Sequence, residues 1–244
     1  IIETTGIADP SSILQVFLEH PRVEQVFELK NVICLVDAGQ IKGWLNETEE
    51  ALRQISVSDI LLINKIDTVS DEYLKQLKEL LTEINPHAHA FSGKQGTFTI
   101  NKIMQIGTID PVSAESFKNT DHYEQDGGNN NQHRITTFTL TFPAPLDFNN
   151  LQLDLNRIAH LYREQVYRIK GFIAIPNYPN RVILQSARSA FIATDGTPWE
   201  TPYNRKGKLV FIGRGLKKEV FEKMFNRHLV EIPKKSTETY HATD

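Results

Sequence analysis

Asp59-Ile60-Leu61-Leu62-Ile63-Asn64-Lys65-Ile66-Asp67 is an apolar run that turns polar at one defined point. The run is too short for a helix, and its lack of alternation predicts a strand buried on both faces of a parallel sheet. The residues that close it, Asn64-Lys65-Ile66-Asp67, fit the pattern N-K-x-D. Just past a strand end, a carboxylate can accept two hydrogen bonds from the N1–H and N2–H₂ edge of guanine. Adenine offers no such donor pair, so Asp67 would discriminate by leaving its own acceptors unpaired with the wrong base. Asn64 would brace the loop, and the Lys65 stem would lie over the base plane. The competing reading is an ordinary strand-to-turn exit, where Asn, Lys and Asp are all common.

Upstream, Ile1-Ile2-Glu3-Thr4-Thr5-Gly6-Ile7-Ala8-Asp9-Pro10 reads as a strand end, an E-x-x-G loop and a helix start. In a P-loop NTPase, an acidic residue at this point holds Mg²⁺, usually through water, and the Gly places an amide near the γ-phosphate. Glu3 and Gly6 fit those roles. Asp9 precedes Pro10, which suits the first helical position, so a helix cap is favoured there over a ligand. Ile13, Leu14, Phe17 and Leu18 supply the stripe of the helix that follows.

Further strands are expected at 31–37 and around 88–91, with a helix near 45–55. A second helix, capped by Ser70, carries Tyr73, Leu74, Leu77, Leu80, Leu81 and Ile84 on one face and ends at Asn85-Pro86. Alternating strands and helices imply a parallel sheet with ligands at the strand carboxyl ends, where Glu3 and Asn64 both fall. Ser92-Gly93-Lys94 is placed like an S-A-K loop that touches guanine through backbone amides; a plain Gly turn fits equally. His87 and His89 could face one side of an extended segment, but they lack the further ligands that zinc requires. No metal site is assigned.

Asp121–Gln132 holds Asp-Gly-Gly and three consecutive Asn, so residues 119–133 are expected to be a flexible linker. It separates a first unit, 1–118, from a second, 134–230, with a tail at 231–244. The 244 residues are 40% hydrophobic, enough for two cores. Residues 1–133 hold 10 Lys+Arg against 20 Asp+Glu, whereas 134–230 hold 15 against 7. That split argues for two units held face to face by long-range attraction. The second unit reads as a strand at 135–142, an Asp147-capped helix, strands at 166–175, 181–187 and 209–212, a short strand near 191–194 and a helix at 216–227. An α+β sheet with both helices on one face follows. Arg168 and Lys170 share a strand face. They could bind nucleic acid, phosphate or an acidic client, but a solvated face pairing with the acidic first unit is the favoured reading. No recognition-helix or zinc-finger pattern is present, so nucleic acid is not an expected partner.

The string E-T-T-G-I-A-D-P, the run Val32-Ile33-Cys34-Leu35-Val36-Asp37-Ala38, N-K-I-D and Tyr167-Arg168-Ile169-Lys170-Gly171-Phe172 together resemble the CobW-type family of metallochaperone GTPases. The similarity runs from Ile1 to about Arg227. It implies the C-terminal part of a P-loop GTPase sheet followed by a smaller α+β domain, with GTP/GDP and Mg²⁺ as ligands and Zn²⁺ or Co²⁺ as cargo. It also implies a client metalloprotein or metal-pathway protein as partner. In these terms Glu3 and Gly6 are the catalytic candidates, Glu3 also the Mg²⁺ ligand, and Asn64, Lys65, Asp67 and Ser92 the guanine contacts.

Two family features are missing: the P-loop G-x-x-x-x-G-K-[ST] and a C-x-C-C metal motif. Cys34 is the one cysteine; it excludes a disulfide framework and, within an apolar strand, reads as a small buried hydrophobe. The expectation is that an N-terminal part of the GTPase domain lies elsewhere. The full-length protein would then be a GTP-hydrolysing metallochaperone and this segment alone inactive. The alternative is a non-catalytic interaction module with a basic, client-binding C-terminal domain. With no membrane-spanning run and no signal peptide, a cytoplasmic location is expected. Apolar edges left by the missing strand would favour homo-oligomers.

Overall fold

The computed structural model describes residues 1–6, 8–106, 123–124, 135–187, 189–201 and 205–230. In chain order the first unit comprises α1 (Ser11–Glu19), α2 (Pro21–Glu24), β1 (Ile33–Asp37), α3 (Ile41–Glu47), α4 (Glu49–Val57), β2 (Ile60–Asn64), a 3₁₀ turn at Ile66–Thr68, α5 (Asp71–Ile84), β3 (His89–Ser92) and α6 (Ile100–Met104). Strands β1, β2 and β3 pair in parallel in that order, with Asp37 beside Asn64 at the carboxyl edge. The second unit comprises β4 (Tyr123–Glu124), β5 (Ile135–Phe142), α7 (Phe148–Leu161), β6 (Val166–Ile173), β7 (Asn180–Ala187), β8 (Ala190–Pro198), β9 (Gly207–Arg214) and α8 (Lys218–Asn226). Its sheet is antiparallel, in the order β4-β5-β9-β6-β7-β8. The architecture is therefore a parallel α/β sheet followed by an α+β sheet, as expected.

Local chemistry explains most boundaries. Ser70 and Asp147 accept amides of the first turns of α5 and α7, which satisfies donors that a helix start leaves open. The single helix expected near 45–55 is instead two, because Thr48 leaves helical geometry and its side chain caps α4 by accepting from the Ala51 amide. The strand expected near 191–194 extends over β8, which pairs with β7 as a hairpin. Within the expected linker, Tyr123–Glu124 pair with β5; the remainder of 119–133 and the tail 231–244 lie outside the described residues.

Two sequence expectations need correcting at the amino end. Ile1 and Ile2 belong to no strand and are exposed. On α1, Leu14 and Leu18 are buried, whereas Ile13 is exposed and Phe17 packs edge-on against Phe27. The helix lies against the β7–β8 hairpin, with Leu14 and Leu18 beside Val57, Ala187 and Ala190, so only a narrow stripe is covered. Cys34 is half-buried rather than fully buried, and desolvation pushes its thiol up to about 11.

The antiparallel sheet buries both faces. One packs Phe138, Ile169 and Phe211 against α7 and α8 through Leu151, Leu155, Phe221 and Phe225. The other joins Ile135, Tyr167, Phe172, Val210 and Ile212 to Leu52, Ile55, Leu77, Leu81 and Ile84 of the first unit. At this junction Asp59 accepts from Lys170 Nζ at 2.7 Å and Arg168 Nη2 at 3.1 Å, and its second oxygen accepts the Val32 amide at 2.9 Å. The basic residues do meet the acidic unit, but the face is not solvated: the side chains of Arg168 and Lys170 are only 5% and 14% exposed. A bulge between Val166 and Arg168 turns both Tyr167 and Arg168 toward the first unit, which strict alternation would forbid.

His87 sits in the turn before β3, at this junction, whereas His89 opens the strand and is exposed. Burial, reinforced by the nearby cations Lys170, Arg168, His89 and Lys208, pushes the His87 imidazole down to about 3. The unfolded chain therefore takes up a proton near pH 6.5 that the folded protein refuses until about pH 3. Stability contributed by neutral His87 is complete above 6.5 and is lost as pH falls through that window. Urea denaturation between pH 7 and pH 4 should show a His87→Gln variant with a shallower acid decline than the parent.

Candidate guanine-nucleotide site

At the carboxyl edge of β2 the chain makes a tight reversal. Lys65 adopts left-handed backbone geometry (φ 58°, ψ 35°), and the 3₁₀ turn that follows is closed by Thr68, whose hydroxyl donates to the Lys65 carbonyl at 2.8 Å. Asn64 Oδ1 accepts the Gly96 amide at 3.0 Å, and the Gly93 carbonyl accepts the Ile66 amide at 3.3 Å. The loops after β2 and β3 are thus laced into one rim. Asp67 is exposed on it, and among the described residues no hydrogen bond or ion pair engages its carboxylate. Ser92 ends β3 opposite Ile63, exposed beside the same rim.

Asp37 is the residue that sequence reasoning passed over. It ends β1 in register with Asn64, and its Oδ2 accepts from Lys65 Nζ at 2.7 Å while Oδ1 accepts the Gly39 amide at 3.0 Å. The Lys65 contact outweighs the opposing effect of burial and, with the Gly39 amide, holds its carboxyl below the ordinary carboxylate range. The signal was available: Val36-Asp37-Ala38 places a carboxylate at the end of the neighbouring parallel strand. Gly93 is a second structural requirement. A Cβ there would stand 2.5 Å from the Thr97 carbonyl oxygen and 2.6 Å from the Phe98 ring, so any side chain forces the 93–97 loop outward. Gly93→Ala should cost about 1–3 kcal/mol of stability and, by moving the rim, weaken guanine-nucleotide binding; thermal denaturation and GDP titration read the two effects.

Glu3 and Gly6 are not joined to this rim by any hydrogen bond or ion pair among the described residues. Glu3 is exposed. The loop they occupy is held by α4, where Gln54 Nε2 donates to the Gly6 and Ala8 carbonyls at 3.1 and 2.9 Å. Pro10 occupies the N-cap of α1 instead of its first helical position, and Asp9, one residue earlier, supports the helix start with its Oδ1, which accepts the Ser11 amide at 2.9 Å. No cluster of three or more metal-ligating side chains occurs among the described residues, and no described helix is long and apolar enough to cross a membrane.

Residues 1–92 match the CobW/HypB/UreG nucleotide-binding domain, and residues 135–229 match the C-terminal domain of the cobalamin synthesis protein CobW. The chain belongs to the CobW family. Among CobW-family relatives, the zinc chaperone YjiA of Escherichia coli is 27% identical, over 92% of this chain and 69% of its own length. The zinc-regulated GTPase metalloprotein activator 1 of Saccharomyces cerevisiae is 26% identical over 94% of this chain and 62% of its own. A crystal structure of the Zn(II)-bound YjiA GTPase shares the fold, with a TM-score of 0.69 at 24% identity over 92% of this chain and 69% of that one. The chain thus spans roughly two thirds of the length of these CobW-family proteins.

Proposed function

We propose that this chain is the guanine-reading portion and C-terminal domain of a GTP-hydrolysing metallochaperone that hands zinc or cobalt to a client metalloprotein in the cytoplasm. The observation that carries the reading is the rim at the end of β2, where an exposed, uncommitted Asp67 stands on a turn braced by Asn64. Membership of the CobW family, and relatives named as zinc chaperones, support the metal-delivery half of the proposal.

In this reading Asp67 accepts from guanine N1–H and N2–H₂, Asn64 keeps the rim closed, Lys65 lies along the base and Ser92 borders it. Magnesium, when bound, neutralises charge on the phosphate oxygens. Glu3, exposed and single, fits one position of that ion's oxygen shell, held through water, with phosphates and waters supplying the rest. Gly6 offers a backbone amide where no side chain intervenes. Hydrolysis is then a matter of positioning, with little covalent work for the protein. The chain itself carries no G-x-x-x-x-G-K-[ST] sequence, so turnover requires a phosphate cradle contributed from upstream in the full-length protein.

The competing module reading, with a basic client-binding face, loses the residues it began from, because Arg168 and Lys170 are committed to Asp59. GDP and ADP titrations of the full-length protein decide the nucleotide reading. A preference for GDP of about a hundredfold or more is expected from two hydrogen bonds to a charged acceptor; equal affinities would overturn it. Robust GTP turnover by the present chain alone would overturn the assignment of the cradle to an upstream segment.

A further inference from the structure

The loop that carries Glu3 and Gly6 is fastened at two places to the antiparallel sheet. On one side, Arg53 Nη1 donates to Asp9 Oδ2 at 2.9 Å and Nη2 to Glu49 Oε1 at 3.0 Å. Glu49 in turn accepts from the Tyr167 hydroxyl of β6 at 2.5 Å and from Arg214 Nη1 of β9 at 3.3 Å. The Arg53 guanidinium also stands 5.1 Å from the centroid of the Tyr167 ring. On the other side, α1 begins directly after the loop, and Leu14 and Leu18 rest on Ala187 and Ala190 of the β7–β8 hairpin. Gln15 Nε2 adds a bond to the Ser189 hydroxyl at 3.2 Å.

We propose that Arg53 and Gln54 are positioning residues for the Glu3–Asp9 loop and that they couple its conformation to the antiparallel sheet through Glu49 and Tyr167. The coupling arises from rigidity. A guanidinium presents its donors in a fixed plane, so Asp9 cannot shift without breaking one Arg53 contact or rotating the other. Gln54 holds the Gly6 and Ala8 carbonyls with one amide nitrogen, so a shift of either strains its tie to α4. The Arg53 side chain is 15% exposed and that of Glu49 23%, which limits how well water can replace these bonds. Any ligand that repositions the loop must therefore also act on the sheet, and the sheet on the loop, because such coupling is reciprocal. The nucleotide consequence rests on the function proposed above; the mechanical coupling does not.

Hydrogen exchange on the full-length protein tests both directions without a ligand. Tyr167→Phe removes one hydroxyl, keeps the ring in the core and alters nothing in the loop directly. It should raise amide exchange across residues 3–9 by about tenfold, while Gln54→Ala should raise it across residues 166–173 by a similar factor. A far segment that exchanges at the parent rate in either variant would overturn the coupling. In GTP turnover with Mg²⁺, Gln54→Ala should lower kcat with KM within about twofold, because no Gln54 contact reaches the 64–67 rim; an unchanged kcat would overturn the positioning role. A parent protein that binds no GDP would overturn the guanine reading, and the exchange results alone would then decide the coupling.

Discussion

Asp59→Ala is expected to destabilise the protein by about 3–5 kcal/mol, the cost typical of leaving buried charges without a counterion. The side chain lies at the junction of the two units and is itself buried. Its loss removes the counterion of Lys170 and Arg168 and the acceptor of the Val32 amide, leaving Arg168 only its bond to Gln185. Burial by itself would raise the Asp59 carboxyl, yet Lys170 and Arg168 outweigh it and hold the carboxyl below its ordinary value. The stability it contributes is therefore complete above its unfolded pKa and is lost as pH falls through the lower folded one. This acid-side loss lies below about pH 4, so it overlaps only the acid end of the window assigned to His87. Urea denaturation measures the effect, with a shift of midpoint at constant slope as the expected form. Replacing all three residues by apolar ones of similar volume should recover most of the loss, since the ion group as a whole contributes less than its rupture costs. A single variant as stable as the parent would mean that water reaches the junction.

Asp67→Asn is expected to weaken GDP binding by about a hundredfold, or about 3 kcal/mol for two hydrogen bonds to a charged acceptor. An amide can still accept once, but its NH₂ group opposes the donors of guanine. Xanthine carries a carbonyl at C2 that such an amide can satisfy, so the variant should gain affinity for XDP as it loses GDP. Because Asp67 is exposed and holds no described partner, its replacement should leave thermal stability nearly unchanged, within the about 0.5 kcal/mol usual for surface sites. Calorimetric titration of GDP, XDP and ADP against both proteins reads the exchange of specificity. Unchanged GDP affinity would reduce the 64–67 stretch to an ordinary strand exit.

The elements governed by local chemistry were legible in the sequence. The apolar run 60–63 is β2, the α5 stripe with its Ser70 cap falls where periodicity puts it, and Asp147 caps α7. Each of these depends on neighbours within a few residues. The 64–67 turn belongs to the same class: Asn64, Lys65 and Asp67 lie within four residues, and the strand that presents them is short and apolar.

The remainder depended on residues far apart in sequence. Asp37 came to Lys65 because β1 and β2 pair in one particular register. The bulge beside Val166 rotated Tyr167 and Arg168 to the same side, so that Glu49 and Asp59, more than a hundred residues upstream, became their partners. Composition foretold that an acidic half would meet a basic half, since net charge sums over residues regardless of position. Which carboxylate meets which cation, and whether water is excluded when they meet, depends on strand register and core packing. Those are properties of the assembled sheets, and only the tertiary structure decided them.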